Sequence, residues 1–460
     1  MLAALSGCAS VTLEQNMGRV NDETARFTEG QVVLARTDDE RSLRAQAVQA
    51  LLGAPLGQRE AVRLALVNSP SLQALLARGW ADAADAAQAG RIANPIFAFE
   101  RLAHGDELEL GRTLSLGLLD LLTLPVRHGL AKQRIERSQL SLAGEVVDLV
   151  RRVRQAWVRA VAAQQTLRYA RQVSAGAEAG AELARRMQAA GNVNRISRAR
   201  EQAFYAEAAT RTAIADQRVT ASREELVRLL GLDEAQARRL TLPERLPDLP
   251  QQALAPEAVS AQASHGRLDI RLAKGALESS ARAQGLDTPF SYTDIELAVR
   301  RDSKFDNAAG TRRDPRGYEI GVRLPVFDWG AMRRDALNAR TLAAANQLED
   351  VVRKAGSSLR ESYAAYRIAY DIARHYRDEV VPLRKVISEE NQLRYNGMLI
   401  GVFELLADAR DQVIAVMAAI DAQQQFWLAD TALQATLIGR PTDVAPFMAV
   451  GTASAGRAGH

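Results

Sequence analysis

Three carboxylates late in the chain have a spacing suited to electrostatic work. Glu404, Asp408 and Asp411 are four and three residues apart, so on a helix they share one face. Carboxylates repeated around a pore favour cations and gate it electrostatically. The same three side chains also fit a solvated outer face, or ion pairs with Arg410 and its neighbours. Just before them lies Arg394-Tyr395-Asn396-Gly397, where one helical pattern stops and another starts within a few residues. Asn and Gly tolerate the left-handed backbone that ends a helix, which predicts the tip of a helical hairpin. A second copy of this arrangement lies around Gly191-Asn192, followed by Arg195, Arg198 and Arg200. Arg195 and Arg198 are candidates to pair with the acidic set across adjacent hairpins, with solvated helix ends as the alternative. The apolar Met398, Leu399 and Ile400 occupy a tip that would otherwise meet water. With Gly191, Asn192, Val193, Gly397 and Gly401 they form a candidate docking surface; packing inside the turn is the other reading.

Catalytic chemistry has no comparable support. No phosphate loop, nucleophile elbow or metal-ligand cluster is present, and no cofactor or metal site is expected. With a single cysteine, Cys8, no internal disulfide can form. A net charge of +4 with interspersed signs gives no reason to expect nucleic acid. Aromatic residues are only 5%, a composition that suits long helices rather than compact mixed cores.

The elements that position the tips follow a duplicated order. Each half reads helix, two strands, long helix, tip, return helix, over 57–247 and 248–440. The first half has helical patterns at 58–93, from 126 to about 190, and from 195 to 230, with a restart at Ser69-Pro70. In the second half, the long helix runs from Asp328 to Tyr395 and its return to Gly439. Tyr363, Tyr366 and Tyr370 read as the long helix's core seam, with a transport ladder as the alternative. Residues 9–56 read as an extended tether or wrapping segment with some helix at 42–52, and 441–460 as a disordered tail. The alternation is weak at Ile96–Arg101 and clear in the next run, where Leu108, Leu110, Leu114, Leu116 and Leu118, with Arg112 the exception, oppose Glu109, Gly111, Thr113, Ser115 and Gly117. Further strands are expected at Ile96–Arg101, Tyr292–Arg300 and Tyr318–Val326, with a charged loop over 301–316. That length suits the ~9–11 residues of a tilted membrane strand. Four strands cannot close a barrel, which needs about eight, so several copies must share one.

Leu5-Ser6-Gly7-Cys8 resembles a bacterial lipobox, in which the cysteine is acylated, making 1–56 a lipidated tether. The duplicated order, the Leu324-Pro325-Val326-Phe327-Asp328-Trp329-Gly330 junction, and the Arg394–Gly397 tip followed by Glu404-Leu405-Leu406 resemble the TolC family of outer-membrane efflux proteins. The resemblance implies a mainly α fold with a transmembrane β-barrel, built from long coiled-coil hairpins and four strands per chain. A homotrimer would form a 12-stranded barrel and an α-helical tunnel. It implies a passive outer-membrane exit duct working with a periplasmic adaptor protein, an inner-membrane pump and outer-membrane lipid. Glu404, Asp408 and Asp411 would then ring the narrow entrance, the tip residues would meet the adaptor, and Glu109, Thr113, Glu296 and Arg323 would face the barrel lumen. A reading from another class is a periplasmic coiled-coil scaffold outside the membrane, with the strands forming a small soluble sheet.

Overall fold

The computed structural model describes residues 11–263, 266–285, 295–306, 308–324 and 326–442. Cys8, Pro325 and the tail from 443 onward lie outside the described residues. The chain divides into two compact units that cut across the sequence halves, each drawing on both.

The first unit takes in 77–142 and 269–353, with the described residues up to Val20. Its centre is an antiparallel sheet of β1 (Ile96–His104), β2 (Glu107–Gly117), β3 (Ile295–Asp306), β4 (Thr311–Arg313) and β5 (Arg316–Val322). β1 pairs β2, β2 pairs β3, and β3 pairs both β4 and β5. Gly105, at φ +55°, turns β1 into β2. The expected charged loop over 301–316 is mostly strand. β3 continues to Asp306, and β4 with β5 forms one returning pass interrupted at Asp314-Pro315. Proline has no N–H to give to a ladder, but its carbonyl still accepts from Asp302 N at 3.1 Å.

The second unit takes in 21–76, 143–268 and 354–442 of the described chain. The helices of the chain are α1 (Leu13–Thr28), α2 (Asp38–Leu51), α3 (Gln58–Asn68), α4 (Pro70–Ala89), α5 (Leu118–Leu122), α6 (Leu124–Ala189), α7 (Arg195–Leu230), α8 (Glu234–Arg239), α9 (Pro256–Ala263), α10 (Leu268–Gly285), α11 (Ala331–His375), α12 (Val381–Asn396) and α13 (Val402–Ile438). The 66 residues of α6 span on the order of 100 Å at the usual helical rise. Among the described residues no helix is long and apolar enough to cross a membrane.

Two expectations change here. The segment read as extended outside 42–52 contains α1, and α2 begins at a capping box in which Thr37 Oγ1 accepts from Glu40 N while Glu40 reaches back to Thr37 N. Phe27, Val32, Val48 and Leu56 are buried, so this segment is part of the folded body. The long helix expected from Asp328 to Tyr395 is also interrupted, by a π turn at Tyr376–Val380. Pro382 follows directly. It cannot donate to the carbonyl of Asp378 and would clash with it, so the helix widens by one residue there.

The tyrosine seam holds the linker between the two sequence halves. Tyr366 and Tyr370 are buried with Phe426, ring centroids 5.5 and 5.7 Å from it. Tyr366 Oη accepts from Leu254 N, Tyr363 Oη donates to Leu254 O, and Tyr370 Oη donates to Pro250 O. A proline-rich stretch with few ladder partners of its own is thereby fixed by three hydroxyls.

On α13, burial pushes the Asp430 carboxyl up to about 6, against the opposing pull of Arg154. The folded state therefore keeps a proton that the unfolded chain releases near pH 4. Stability from this group is greatest below pH 4, falls as pH rises to about 6, and stays reduced above that. Asp430→Asn removes the penalty. We expect it to raise Tm at pH 7.5 and leave Tm at pH 4 nearly unchanged; equal shifts at both pH values would contradict this assignment.

Candidate functional site

The two tips end in the same backbone motif. In the first, Asn192 N donates to Met187 O and Gly191 N to Gln188 O, with Gly191 at φ +78°. In the second, Leu399 N donates to Arg394 O and Met398 N to Tyr395 O, with Met398 at φ +59°. Both are Schellman endings, in which one left-handed residue lets the last carbonyls be satisfied. The left-handed position at the second tip is thus Met398, not Asn396 or Gly397, whose φ is −80°. A methionine there is strained, and it is 92% exposed. Leu399 is exposed too, whereas Ile400 and Val193 are half-buried. Ile196, exposed at the first tip, adds an apolar residue that the sequence reading did not single out.

The corrected register matters for the charges. Gly191 matches Met398, and the N-cap Asn194, whose side chain accepts from Ser197 N at 2.8 Å, matches the N-cap Gly401. Continuing the same register sets Glu201 against Asp408. The first tip, followed in sequence by Arg195, Arg198 and Arg200, therefore has a carboxylate of its own as well.

Glu201 is buried and pairs with Arg410 of α13, whose guanidinium also lies 3.9 Å from the centre of the Phe204 ring. This pair joins the return helices of the two hairpins. A second pair, Arg384 to Asp411 at 3.3 Å, joins α12 to α13 within one hairpin. Glu404 is exposed at the start of α13, and Asp408 is half-buried with Oδ2 shielded from solvent and without a hydrogen-bond partner. Arg198 donates to Gln188 Oε1 at 2.7 Å inside its own hairpin. Arg195 is exposed. Within one chain, then, Asp411 is held by Arg384 and Glu201 by Arg410, and among the described residues neither Arg195 nor Arg198 pairs with Glu404, Asp408 or Asp411.

The sheet has two chemically distinct faces. Register places Glu109 opposite Lys304, Thr113 opposite Arg300, and Gly117 opposite Glu296, all on one face. Arg300 reaches Asp302 at 2.9 Å, Glu100 at 3.5 Å and Glu109 at 4.0 Å, while Lys304 reaches Glu109 at 3.1 Å. Arg323 follows β5 by one residue and continues the alternation of Glu319 and Gly321. The other face bears Phe97, Leu114, Val299, Tyr318 and Ile320, every one at least half exposed. Among the described residues β1 and β5 each pair on one side only.

No family model and no curated protein sequence matches the chain. Solved structures do match. A membrane protein from Pseudomonas aeruginosa is 20% identical with a TM-score of 0.68, over 85% of this chain and 93% of that one. The CmeC outer membrane channel of Campylobacter jejuni is 14% identical with a TM-score of 0.69, over 91% and 92%. The chain has the fold of these channels. The MtrE outer membrane channel of Neisseria gonorrhoeae, solved in its open state, is 20% identical with a TM-score of 0.65, over 87% and 91%. The mainly helical chain with a small antiparallel sheet matches these channels over most of its length.

Proposed function

We propose that the chain is an outer-membrane channel of the TolC type, forming the passive exit duct of a tripartite export system. The observation that carries this reading is the sheet, with an ion-paired polar face, a bare apolar face and two open edges. In water that apolar face would be a liability. In a bilayer it is the lipid surface, and three copies joined edge to edge would close the four strand passes of each chain into one barrel with the polar face inside. The likeness to solved outer-membrane channels supports the same conclusion. On this reading Cys8 carries lipid, Gly191, Asn192, Val193, Gly397, Met398, Leu399, Ile400 and Gly401 meet a periplasmic adaptor that links the duct to an inner-membrane pump, and Glu404, Asp408 and Asp411 filter cations at the entrance. The duct performs no catalysis. A periplasmic scaffold would leave Phe97, Val299 and Tyr318 in water at 65%, 60% and 79% exposure.

The test is single-channel recording in planar bilayers. The wild type should insert and pass small, cation-selective currents, and Glu404→Gln with Asp408→Asn and Asp411→Asn should lose the selectivity. Folded protein that neither inserts nor conducts would favour the scaffold.

A further inference from the structure

Arginines stand side by side on the apolar face of the sheet. Register sets Phe99 opposite Arg112, Arg112 opposite Arg301, and Arg301 opposite Arg316, so one row across β2, β3 and β5 is entirely arginine. Neighbouring strands are about 4.8 Å apart, and like charges directly opposite one another are destabilising. Arg101, beside Leu110, and Arg312, opposite Phe305, lie on the same face further toward the β1–β2 and β3–β4 turns. On the other side of the row the face is apolar, through Val299 and Tyr318 to Ile295 and Val322.

The two faces treat their cations differently. On the polar face Arg300 and Lys304 are matched by Glu100, Glu109 and Asp302. Among the described residues the apolar face has one carboxylate, Asp314, which bonds Ser303 and Arg312, the latter at 3.1 Å, and whose charge is also felt by Arg301. Among the described residues Arg112 makes a long contact, 3.4 Å, to Ser303 Oγ. Arg301 and Arg316 are exposed. A guanidinium in hydrocarbon is costly, but its long stem lets it reach the headgroup level. A planar fork of donors matches a phosphate bidentately. We propose that the Arg112, Arg301 and Arg316 row binds the phosphate of an anionic lipid headgroup, in the leaflet at the turn end of the sheet. The inference rests on the reading of this face as lipid-facing. A bound phosphorylated lipid would offset the repulsion along the row and mark the upper edge of the apolar band.

The experiment titrates the purified full chain, in neutral detergent, with bisphosphorylated lipid A and counts bound lipid by native mass spectrometry. The same samples are tested for insertion into phosphatidylcholine bilayers by conductance. Each arginine at a membrane surface contributes roughly fivefold in affinity, so Arg112→Gln with Arg301→Gln and Arg316→Gln should weaken binding by about a hundredfold. Arg313→Gln, opposite Lys304 on the polar face, should change it by no more than about twofold. Unchanged affinity in the triple variant overturns the proposal, and so does an equal loss in Arg313→Gln. A triple variant that alters subunit number without lipid, at unchanged lipid affinity, makes the row a contact between copies and also overturns it. Failure of the wild type to insert strikes the channel reading instead, whereas normal insertion with unchanged affinity strikes this inference alone.

Discussion

Glu201→Gln combined with Arg410→Gln should raise single-channel conductance severalfold. The two side chains form the pair that joins α7 to α13, and the hairpins cannot part at this level without breaking it. Glu201 and Arg410 are only 9% and 21% exposed, so solvent screens the pair weakly. A charged hydrogen bond of this kind contributes about 2 kcal/mol, which is roughly a thirtyfold change in a closed-to-open ratio. Replacing both partners with amides keeps the hydrogen-bonding shape and leaves no buried charge behind. The single variant Arg410→Gln would instead strand the Glu201 carboxylate and lower stability as well. The more exposed Arg384–Asp411 pair contributes at most about 1 kcal/mol, so Arg384→Gln should change conductance less. Arg195→Gln and Arg198→Gln should change it least, since Arg198 is engaged within its own hairpin. Conductance of the double variant within twofold of wild type would show that this pair is not a latch.

How much of this could be read beforehand depended on how local the physics was. Long helices announce themselves by apolar residues three and four apart, and α6, α7, α11 and α13 all fall where that pattern lies. The strands were legible by alternation, but their ends were not. β3 runs on through Arg301, Asp302 and Lys304 because its backbone keeps pairing with β2 and Lys304 reaches Glu109 across the sheet, a gain invisible in a charged string. The tips were legible as turns, but their register was not. Asn-Gly drew the eye to 396 and 397, whereas the hydrogen bonds make Met398 the left-handed residue. That small shift hid Glu201, which matches Asp408 only in the corrected register. The arginine row was hidden for a different reason. Arg112 looked like a single exception on an apolar face until register set it beside Arg301 and Arg316.

The N-terminal segment was the least legible part, and it carries the largest expected loss of stability. Residues between 21 and 56 have a polar, weakly periodic sequence, yet their apolar positions are spent on the core. Trp157 is buried on α6, and its indole N–H donates to Leu56 O at 2.7 Å. Leu56 N in turn donates to Thr241 O at 2.9 Å, so one residue of the segment bridges α6 and the stretch after α8. Upstream, the Arg154 guanidinium donates to Phe27 O at 2.6 Å and covers the Phe27 ring at 4.6 Å, while Glu29 forms ion pairs with Arg59 at 2.9 Å and Arg154 at 3.5 Å. Trp157→Ala should therefore cost about 3–5 kcal/mol through the cavity alone, with roughly 1 kcal/mol more for the carbonyl left without its donor. Trp157→Phe keeps most of the apolar volume and should lose only about 1–2 kcal/mol. Denaturant unfolding of the detergent-solubilised protein measures both, and limited proteolysis should cut the alanine variant between Leu52 and Gln58 before any other site. If Trp157→Ala unfolds within about 1 kcal/mol of wild type, the segment is an appendage after all. A loss of the expected size would instead make it a strap on the second unit, fastened at Phe27 and Leu56.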